Sequence, residues 1–301
     1  MAEVYYNRPR NATVLSKGLH MKILVHLHLY YTDMLPEMLN YLGSLDGKDY
    51  DLYVTMVQED GLLTEQIFAF KKDARILIVE NRGYDIAPFL KVLKTVDLNK
   101  YSYVVKLHTK RDLPKTSHMP LCDFSGAEWR NCLTGFIKDK DIFSKTIAMF
   151  EQNPDIGMIS HYQLVIKAAK EDRTANQRAS DIMKKLGVQR KAQKFVAGTM
   201  FICRATLMSP LQKLPYEIKD FDQPAANHAG GTLAHALERV FGWLVYAQGC
   251  KIASYAPLDI SGCLKILACK SSRFLYRKHT NAQGVTRIKV CKIPVYKQRA
   301  K

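Results

Sequence analysis

The chain has 301 residues, of which 45 are Lys or Arg and 28 are Asp or Glu, so its formal net charge is +17. With 47% hydrophobic and 24% charged residues, its composition excludes a disordered or fibrous protein and is typical of a folded protein with a sizeable core. The charge predicts an anionic partner, yet it is unevenly placed. Residues 260–301 contain eleven Lys and Arg and no Asp or Glu, which leaves +6 for the first 259 residues.

Several common protein classes lack their sequence signatures here. No run approaches 18 apolar residues, so no transmembrane helix is predicted. Residues 23–31 (ILVHLHLYY) contain two histidines and no cleavage site follows them, which indicates a buried strand and not a signal peptide. Seven scattered cysteines without a CxxC pair argue against a disulfide framework or a structural zinc site and favour a reducing cytoplasm. The absence of GxGxxG, Walker A, HExxH and GxSxG patterns argues against dehydrogenases, P-loop NTPases, zincins and α/β-hydrolases.

After an expected loose leader at residues 1–21, predicted strands alternate with predicted helices. Asp33 is expected to cap the first helix and Gly43 to end it. The strands are predicted at residues 22–29, 51–57, 75–79 and 103–107, and the helices at residues 34–42, 62–72 and 85–96. Strands that alternate with helices of this length predict βαβ units and a Rossmann-like, mostly parallel sheet flanked by helices.

The later part of the chain contains longer helical patterns. Helices are predicted at residues 127–137, 141–153 and 232–248, and buried strands at residues 156–160, 195–203 and 250–255. Beyond them, residues 273–279 and 286–292 predict a hairpin with a turn around residues 281–284. We therefore expect an α/β fold with one domain over residues 22–259 and a short basic C-terminal appendage over residues 260–301.

Polar side chains follow the predicted strands at the place where such sheets bind ligands. Ligands of an open parallel sheet lie outside the carboxyl ends of its strands. The third strand is followed by residues 80–85 (ENRGYD), the fourth by residues 108–112 (HTKRD), and the first ends near His28. These groups are expected to meet at one rim of the sheet.

Residues 80–85 combine a turn glycine with an amide and a carboxylate. Asn81 and Asp85 can accept hydrogen bonds from a base or a ribose, and Gly83 allows the backbone to approach a ligand. The alternative is structural, with Gly83 forming the turn and Asp85 capping the following helix. The residues alone leave both interpretations open.

Up to three cationic groups follow the fourth strand. His108, Lys110 and Arg111 suit a diphosphate, because lysine acts as a point charge and arginine as a bidentate fork. The alternative is a solvated loop with ordinary surface charges. On the first strand, His26 and His28 are expected to face opposite sides of the sheet, so that one of them is a core histidine.

Two later segments carry further candidate residues. Gly198 lies within a predicted strand, where a glycine marks either the close approach of a ligand or tight packing. His235 and Glu238 are three residues apart and share one face of a helix. Glu238 is therefore a candidate general base at the strand rim, or else one partner of an ion pair on the helix surface.

The strings LHLYYTDMLPEMLNYL, ENRGYDIAPFL, YSYVVKLHTKRD, FVAGTMFICR and GGTLAHALERVFG occur in this order over residues 22–255. Together they resemble the rhamnan synthesis protein F family of bacterial cell-surface polysaccharide assembly, with residues 81–85 and 108–110 as the most specific segments. The resemblance implies a GT-A-like fold and a glycosyltransferase, a hexosyltransferase and specifically a rhamnosyltransferase. Its expected donor is a nucleotide sugar, with dTDP-L-rhamnose favoured, and its acceptor is a lipid-linked or free oligosaccharide.

The resemblance also raises the question of a metal ion. The fourth strand of the GT-A fold normally ends in an Asp-x-Asp motif that holds a divalent cation, but here the sequence reads His108-Thr109-Lys110. Either His108 ligates a metal together with other residues, or Lys110 and Arg111 replace the charge of the metal. We favour the second alternative, because a lysine repels a divalent cation and stabilises a leaving diphosphate directly. No metal ligand is therefore expected.

The similarity to inverting GT-A enzymes implies a role for each candidate residue. In those enzymes a carboxylate shortly before a helical arginine serves as the base, and Leu237-Glu238-Arg239 resembles that segment. Trp129 and Trp243 are expected either to stack on a sugar or to pack in the core. The expected catalytic residues are Glu238, Lys110 and His108. The expected donor-binding residues are Asn81, Gly83, Asp85, Arg111, His28 and Gly198, and the acceptor-binding or supporting residues are His235, Arg239 and Trp129.

Two other classes of function remain as alternatives. One is a basic nucleic-acid-binding protein, which is disfavoured because the charge excess lies in residues 260–301 and is not interleaved with aromatic residues on the body. The other is a non-catalytic scaffold or pseudo-enzyme of a polysaccharide assembly complex. We expect a cytoplasmic protein whose basic residues 260–301 dock on the anionic inner face of the plasma membrane, where a lipid-linked acceptor is located.

Overall fold

The computed structural model describes residues 21–119, 121–169, 172–189, 194–223, 231–258, 260–280, 285–291 and 293–299. The strands are β1 (Lys22–Leu29), β2 (Asp49–Met56), β3 (Arg75–Ile78), β4 (Tyr103–His108), β5 (Leu113–His118), β6 (Asp123–Gly126), β7 (Ile156–Ser160), β8 (Val165–Lys167), β9 (Lys194–Val196), β10 (Phe201–Arg204), β11 (Lys251–Ser254), β12 (Tyr276–Thr280), β13 (Val285–Val290) and β14 (Ile293–Arg299). The helices are α1 (Leu35–Leu42), α2 (Gly61–Phe70), α3 (Ile86–Thr95), α4 (Glu128–Thr134), α5 (Lys140–Gln152), α6 (Arg173–Lys185), α7 (Leu233–Ala247) and α8 (Ile260–Leu275).

Seven strands of the described residues form the central sheet, in the order β11-β7-β10-β4-β1-β2-β3. In this sheet β10 runs antiparallel to both β4 and β7, whereas the other neighbouring pairs are parallel. The carboxyl ends of the parallel strands therefore meet at one rim. The predicted fold class, α/β with a mostly parallel sheet, is confirmed.

The core lies on both faces of the two central strands. All of β4 is buried, as is β1 after Lys22, because apolar strands of a parallel sheet are covered by helices on each side. On one face, the ring of Phe89 in α3 packs between His26 of β1 and Phe241 of α7, with ring centroids 5.5 Å from each. On the other face, Phe150 of α5 packs on Tyr103 of β4.

Two local predictions are wrong. Asp33 does not precede the first helix as its cap but lies inside a 3-10 turn, Thr32–Met34, that leads into α1. The single strand predicted at residues 195–203 is divided into β9 and β10 by a turn, in which Gly198 and Thr199 have φ values of +79° and +52°. Apart from Gly198, the apolar pattern of this segment gives no sign of the interruption, because residues 195–197 and 199–203 are all buried.

The basic appendage is only partly as predicted. Residues 260–275 form helix α8, which the sequence analysis did not anticipate, so the hairpin begins at Tyr276 and not at residue 273. Its strands β12 and β13 pair antiparallel as expected, and β14 adds a third strand. The predicted turn at residues 281–284 lies outside the described residues, as does all of the expected leader, residues 1–21, except its last residue. None of the helices that the structure describes is long and apolar enough to cross a membrane.

Candidate functional site

A buried ion pair links α3 to the centre of the sheet. Asp85 stands at the N-cap position of α3, but its carboxylate turns toward β4 and contacts the ammonium of Lys106. Lys106 is fully buried, and its Nζ also donates to the carbonyl oxygen and the Oγ1 of Thr199, at 3.1 and 3.0 Å. The Oγ1 of Thr199 in turn donates to Asp85 Oδ2. Three side chains from three segments therefore form one closed network.

Burial and pairing oppose each other within this network. Burial alone would raise the pKa of Asp85, but His108 and the ammonium of Lys106 outweigh it and hold that pKa well below its usual value. Burial lowers the pKa of Lys106, while the Asp85 carboxylate acts in the opposite direction. A buried lysine without a carboxylate would be strongly disfavoured, so the pair fixes both side chains in place.

The turn before β10 is held from two sides. On one side Lys106 binds Thr199, as described above; on the other, the Gly198 N–H donates to Glu238 Oε1 at 3.0 Å. A Cβ on Gly198 would lie 2.8 Å from Leu133 Cδ2, and its φ of +79° also favours glycine. Close packing and backbone conformation therefore account for this glycine. Its expected contact with a donor stays a prediction.

Glu238 lies in the second turn of α7 and faces the rim of the sheet. Its side chain is 18% exposed, and its Oε2 lies 3.8 Å from Arg239 Nη1. Burial raises the pKa of Glu238 to about 7, against the opposing effects of the Gly198 N–H and the Arg239 charge. A carboxyl group with a pKa near neutrality can take up and release a proton at neutral pH, which is the property of a general base.

Arg239 is committed to joining two helices. It is buried, and its guanidinium donates to Asp172 Oδ2 at 2.7 Å, to Asn176 Oδ1 at 3.0 Å and to the carbonyl oxygen of His235 at 2.6 Å. These contacts tie α7 to the start of α6. Of its two expected roles, acceptor binding or support, the geometry favours support.

His235 connects α7 to the segment that follows β3. Its Nδ1 lies 2.6 Å from the Oγ1 of Thr232, whose hydroxyl caps α7 by accepting from the backbone N–H of His235. The imidazole also lies edge-on to the ring of Tyr84, with centroids 6.1 Å apart. Residues 80–85 and the start of α7 are thus brought together, as expected for two parts of one site.

The two histidines of β1 lie on the same face of the sheet, so the prediction that they face opposite sides is wrong. Residues two apart in a strand point the same way. His26 Nε2 and His28 Nδ1 lie 2.9 and 3.0 Å from the same hydroxyl oxygen, Oγ1 of Thr55. Both imidazoles are buried, and burial lowers the pKa of His28 to about 4. Both are therefore neutral at pH 7.

The segment after β4 holds its candidates at different depths. His108 is buried with its Nδ1 3.5 Å from Asp85 Oδ2, and burial lowers its pKa to about 3. Thr109 accepts from the backbone N–H groups of Tyr30 and Tyr31, at 3.0 and 2.8 Å, which anchors this segment to the end of β1. Lys110 is half-buried, and its positive charge lowers the pKa of His108 further.

Arg111 is more exposed than the residues before it. Its guanidinium pairs with Asp33 at 2.7 Å and lies over the ring of Tyr31, 4.5 Å from the centroid. Both partners of the ion pair are exposed, and water and salt screen such a pair strongly. Arg111 is therefore free to exchange Asp33 for another anion at low cost.

The segment after β3 packs closely on its neighbours. Gly83 has φ +65°, and a Cβ there would lie 2.5 Å from Phe221 Cδ1. Its N–H donates to the carbonyl oxygen of Asp222 at 3.0 Å. Asn81, two residues before Gly83, is exposed.

The two tryptophans occupy different environments. Trp243 is fully buried in α7, so it packs in the core and cannot present a face to a sugar. Trp129 of α4 is half-buried and lies edge-on to Phe124. Its Nε1 is 3.2 Å from the position of a Cβ on Gly198, which places the indole beside the turn that Glu238 binds.

The residues at the end of β4 do not fit a metal site of the Asp-x-Asp type. Among the described residues, no group of three or more His, Cys, Asp and Glu side chains is placed to hold a metal ion. The carboxylate of Asp85 lies beside His108, and the ammonium of Lys106 already contacts it. A divalent cation requires oxygen ligands that are free to coordinate it.

Lys106 and Thr199 were not singled out from the sequence. For Lys106 a signal was present, because a charge inside the apolar run of residues 103–107 (YVVKL) must be buried with a partner. For Thr199 the neighbouring Gly198 was a signal, because a glycine inside a strand pattern can mark a bend.

The family of the chain follows from a sequence comparison. The sequence profile of the family Rhamnan synthesis protein F matches residues 5–250. The chain therefore belongs to this family, and the resemblance noted in its sequence is confirmed.

Proteins of two further kinds are similar to the chain, with sequence identities of 26% or less. The protein WxcX of Xanthomonas campestris pv. campestris, named as uncharacterized, is 26% identical over 233 residues, which make up 76% of this chain and 32% of WxcX. The chain thus spans about a third of the length of the curated relatives it matches.

A mycobacterial protein of known structure overlaps 99% of this chain and 92% of its own, with 10% identity and a TM-score of 0.37. Glucosyl-3-phosphoglycerate synthase of Mycobacterium tuberculosis, solved with Mn²⁺ and UDP, overlaps 93% of this chain and 90% of its own, with 11% identity and a TM-score of 0.33.

Proposed function

We propose that the chain is a glycosyltransferase of bacterial cell-surface polysaccharide biosynthesis, of the rhamnan, O-antigen or capsule type. Membership of the Rhamnan synthesis protein F family supports this class of reaction. The donor is a nucleotide sugar, with dTDP-L-rhamnose favoured, and the acceptor is a lipid-linked or free oligosaccharide. The enzyme would work at the inner face of the plasma membrane, where such acceptors are assembled.

The observation that carries the proposal is the position and the pKa of Glu238. Its carboxyl group is partly exposed at the rim where the parallel strands end, and burial raises its pKa to about 7. Because Gly198 and Arg239 restrain the carboxylate, it is oriented before a substrate arrives.

The proposed reaction is a single displacement with inversion. An acceptor hydroxyl oxygen forms a bond to the anomeric carbon of the donor while the bond from that carbon to the diphosphate oxygen breaks. The hydroxyl proton passes to the Glu238 carboxylate, and the nucleoside diphosphate leaves with the bonding electron pair. The transition state resembles an oxocarbenium ion, as in other glycosyl transfers.

The charged residues after β4 would bind the leaving group. Lys110 would contact the diphosphate, and Arg111 would exchange its exposed partner Asp33 for a phosphate oxygen. The buried His108 would shape the floor of the site without being charged, because its pKa is about 3. Asn81, exposed at the same rim, would bind the nucleotide or the donor sugar.

The same contacts suggest that some candidates act indirectly. Asp85 is engaged by Lys106 and Thr199, so we infer that it positions the turn before β10 and does not bind the donor itself. His28 is bonded to Thr55 and Gly198 to Glu238, which supports similar positioning roles. Trp129, beside that turn, remains available to an acceptor sugar.

The test is release of nucleoside diphosphate from a panel of dTDP-, UDP- and GDP-sugars, with the acceptor fraction of a polysaccharide-producing bacterium. Donor binding is measured separately by calorimetry, with EDTA or with Mg²⁺ or Mn²⁺. We expect binding and turnover with one donor, and binding that survives EDTA. A stable protein that binds no nucleotide sugar would exclude the transferase and favour the scaffold, and tight binding of RNA or DNA alone would favour a nucleic-acid binder.

A further inference from the structure

Helix α8 exposes an apolar stripe that Ser271 interrupts between Leu267 and Leu275. Positions spaced by three or four residues, or by their sums, fall on one face of a helix. The side chains at four such positions are between 57 and 81% exposed. They are Ile260, Leu264, Leu267 and Leu275.

The opposite face of α8 is the one that packs on the body. Gly262 is buried, and Ile266 and Cys269 are half-buried. Lys265 pairs with Glu128 of α4 at 2.9 Å and lies over the ring of Phe124. The helix is therefore held by residues outside the stripe, and the stripe is not needed to attach it.

The sheet after α8 extends the apolar surface. Tyr276 follows the helix directly and stands opposite Val290, which stands opposite Ile293 in the next strand. Residues directly opposite each other in antiparallel strands share one face of the sheet. All three side chains are exposed, so they form an apolar row across β12, β13 and β14.

The charge around this surface decides which partner it fits. Residues 260–301 carry eleven Lys and Arg and no Asp or Glu. Lys270, three residues after Leu267, and Lys289, next to Val290 in β13, are both exposed. A second copy of the chain would bring the same positive charge against it. A nucleic-acid backbone would leave the aliphatic side chains in water. An anionic lipid surface offers both phosphate groups for the cations and acyl chains for the stripe.

We propose that α8 and the β12–β14 sheet form an interfacial docking surface for an anionic bilayer. Leu264 and Leu267 insert at the boundary of headgroups and acyl chains, while the basic residues bind lipid phosphates. This binding does not depend on the proposed glycosyl transfer. Docking through this surface would hold the rest of the protein at the membrane, and α8 would lie in the interface without spanning the bilayer.

The test is flotation of the full chain with vesicles of phosphatidylcholine alone and of phosphatidylcholine with about one third phosphatidylglycerol. We expect binding to the anionic vesicles that is at least tenfold stronger than to the neutral ones and falls in 0.5 M NaCl. The L264S/L267S double substitution should reduce binding at least tenfold without changing charge, and K270E/K289E should reduce it while leaving the stripe intact.

The matched control is Leu62→Ser, because Leu62 is an exposed leucine of α2 outside the appendage. It should bind vesicles as the unchanged protein does. Circular dichroism and thermal unfolding establish that every variant is folded. Equal binding of L264S/L267S and the unchanged protein, or no preference for anionic vesicles, would overturn the proposal. A dimer in solution that L264S/L267S dissociates, without vesicle binding, would assign the stripe to a second copy instead.

Discussion

Lys106 and Asp85 form an ion pair in the interior of the protein, and the same ammonium group holds the backbone of Thr199. The pair joins β4, the start of α3 and the turn before β10. Through that turn it reaches Glu238, which binds the neighbouring Gly198 N–H. A charge at the centre of the sheet therefore determines where the candidate base stands at its rim.

Removing the lysine should be strongly destabilising. Lys106→Met leaves the Asp85 carboxylate buried without its cation, and breaking a buried pair in this way costs about 3–5 kcal/mol. Urea unfolding at pH 7 should show this loss in the free energy of unfolding. Lys72→Met, at an exposed position of the same protein, should change it by less than about 0.5 kcal/mol.

Adding Asp85→Asn to that variant should recover part of the loss, because no charge is then left unpaired. If Lys106→Met alone were as stable as the unchanged protein, the ion pair could not be what fixes the turn.

Glu238→Gln should abolish most of the turnover. An amide cannot accept the proton of the acceptor hydroxyl, and loss of a general base costs about 10²- to 10⁴-fold in rate. Binding of the nucleotide sugar by calorimetry should change little. The matched control is Glu65→Gln on the exposed surface of α2, which should retain full activity. Retained turnover in a folded Glu238→Gln protein would remove Glu238 as the base.

The titration of Glu238 should also appear in the stability of the protein. Its pKa is about 7 when folded against an ordinary value of 4.5, so between these two pH values the folded state binds more protons than the unfolded state. The stabilising effect is therefore complete below about pH 4.5 and is lost as pH rises through 7.

Comparison of the unchanged protein with Glu238→Gln isolates this contribution. From pH 4.5 to 7.5, the free energy of unfolding should fall by up to about 3 kcal/mol more in the unchanged protein than in the variant. Parallel curves for the two proteins would mean that the carboxyl group titrates normally. The buried histidines affect both proteins alike and cancel in the difference.

Gly198→Ala should separate packing from backbone strain. The added methyl group would lie 2.8 Å from Leu133 Cδ2, which is a steric clash. The positive φ of this position adds a second, conformational cost for any residue with a side chain. Gly187→Ala is the matched control, because Gly187 has φ +67° with no atom near its Cβ position. We expect the free energy of unfolding to fall by about 1 kcal/mol in Gly187→Ala and by about 2–4 kcal/mol in Gly198→Ala. Equal losses would show that Leu133 gives way and that the turn is held only by its conformation.

Lys110→Ala should weaken binding of the nucleoside diphosphate about tenfold, equivalent to about 1.4 kcal/mol. Arg111→Ala should weaken it less, because Arg111 must first leave Asp33. Asp33→Ala is the informative companion, since it releases Arg111 and should leave binding unchanged or stronger. Calorimetry with dTDP in EDTA measures all three, and undiminished binding in Lys110→Ala would exclude Lys110 from the phosphate site.

The general fold was predictable from the sequence because each strand of the parallel sheet is a short apolar run, and β1 and β7 match their predicted bounds. The division between β9 and β10 is marked in the sequence only by Gly198, since the buried segments on both sides of it are largely apolar. Helix α8 was not predicted, although its apolar residues recur at helical spacing. The structure alone shows that these residues face away from the body.

At the candidate site, the sequence indicates which segments meet but not which atoms bind one another. Asp85 could be read as a helix cap or as a donor ligand, and the structure places it in a third role, as the partner of a lysine from the middle of a strand. That pairing joins positions 21 residues apart and depends on the register of β4 with its neighbours. Local patterns carry no information about such a register.

The reversed direction of β10 has a consequence for how the site can vary. Because β10 runs antiparallel to β4 and β7, its N-terminal end lies at the rim that the carboxyl ends of the parallel strands form. Its turn thus presents an N–H to Glu238 and a carbonyl oxygen to Lys106, and both groups belong to the main chain. Side-chain changes at Gly198 or Thr199 would nevertheless disturb the turn, because Gly198 is closely packed and Thr199 Oγ1 bonds to Lys106 and Asp85, so variation of the site must fall outside these two positions.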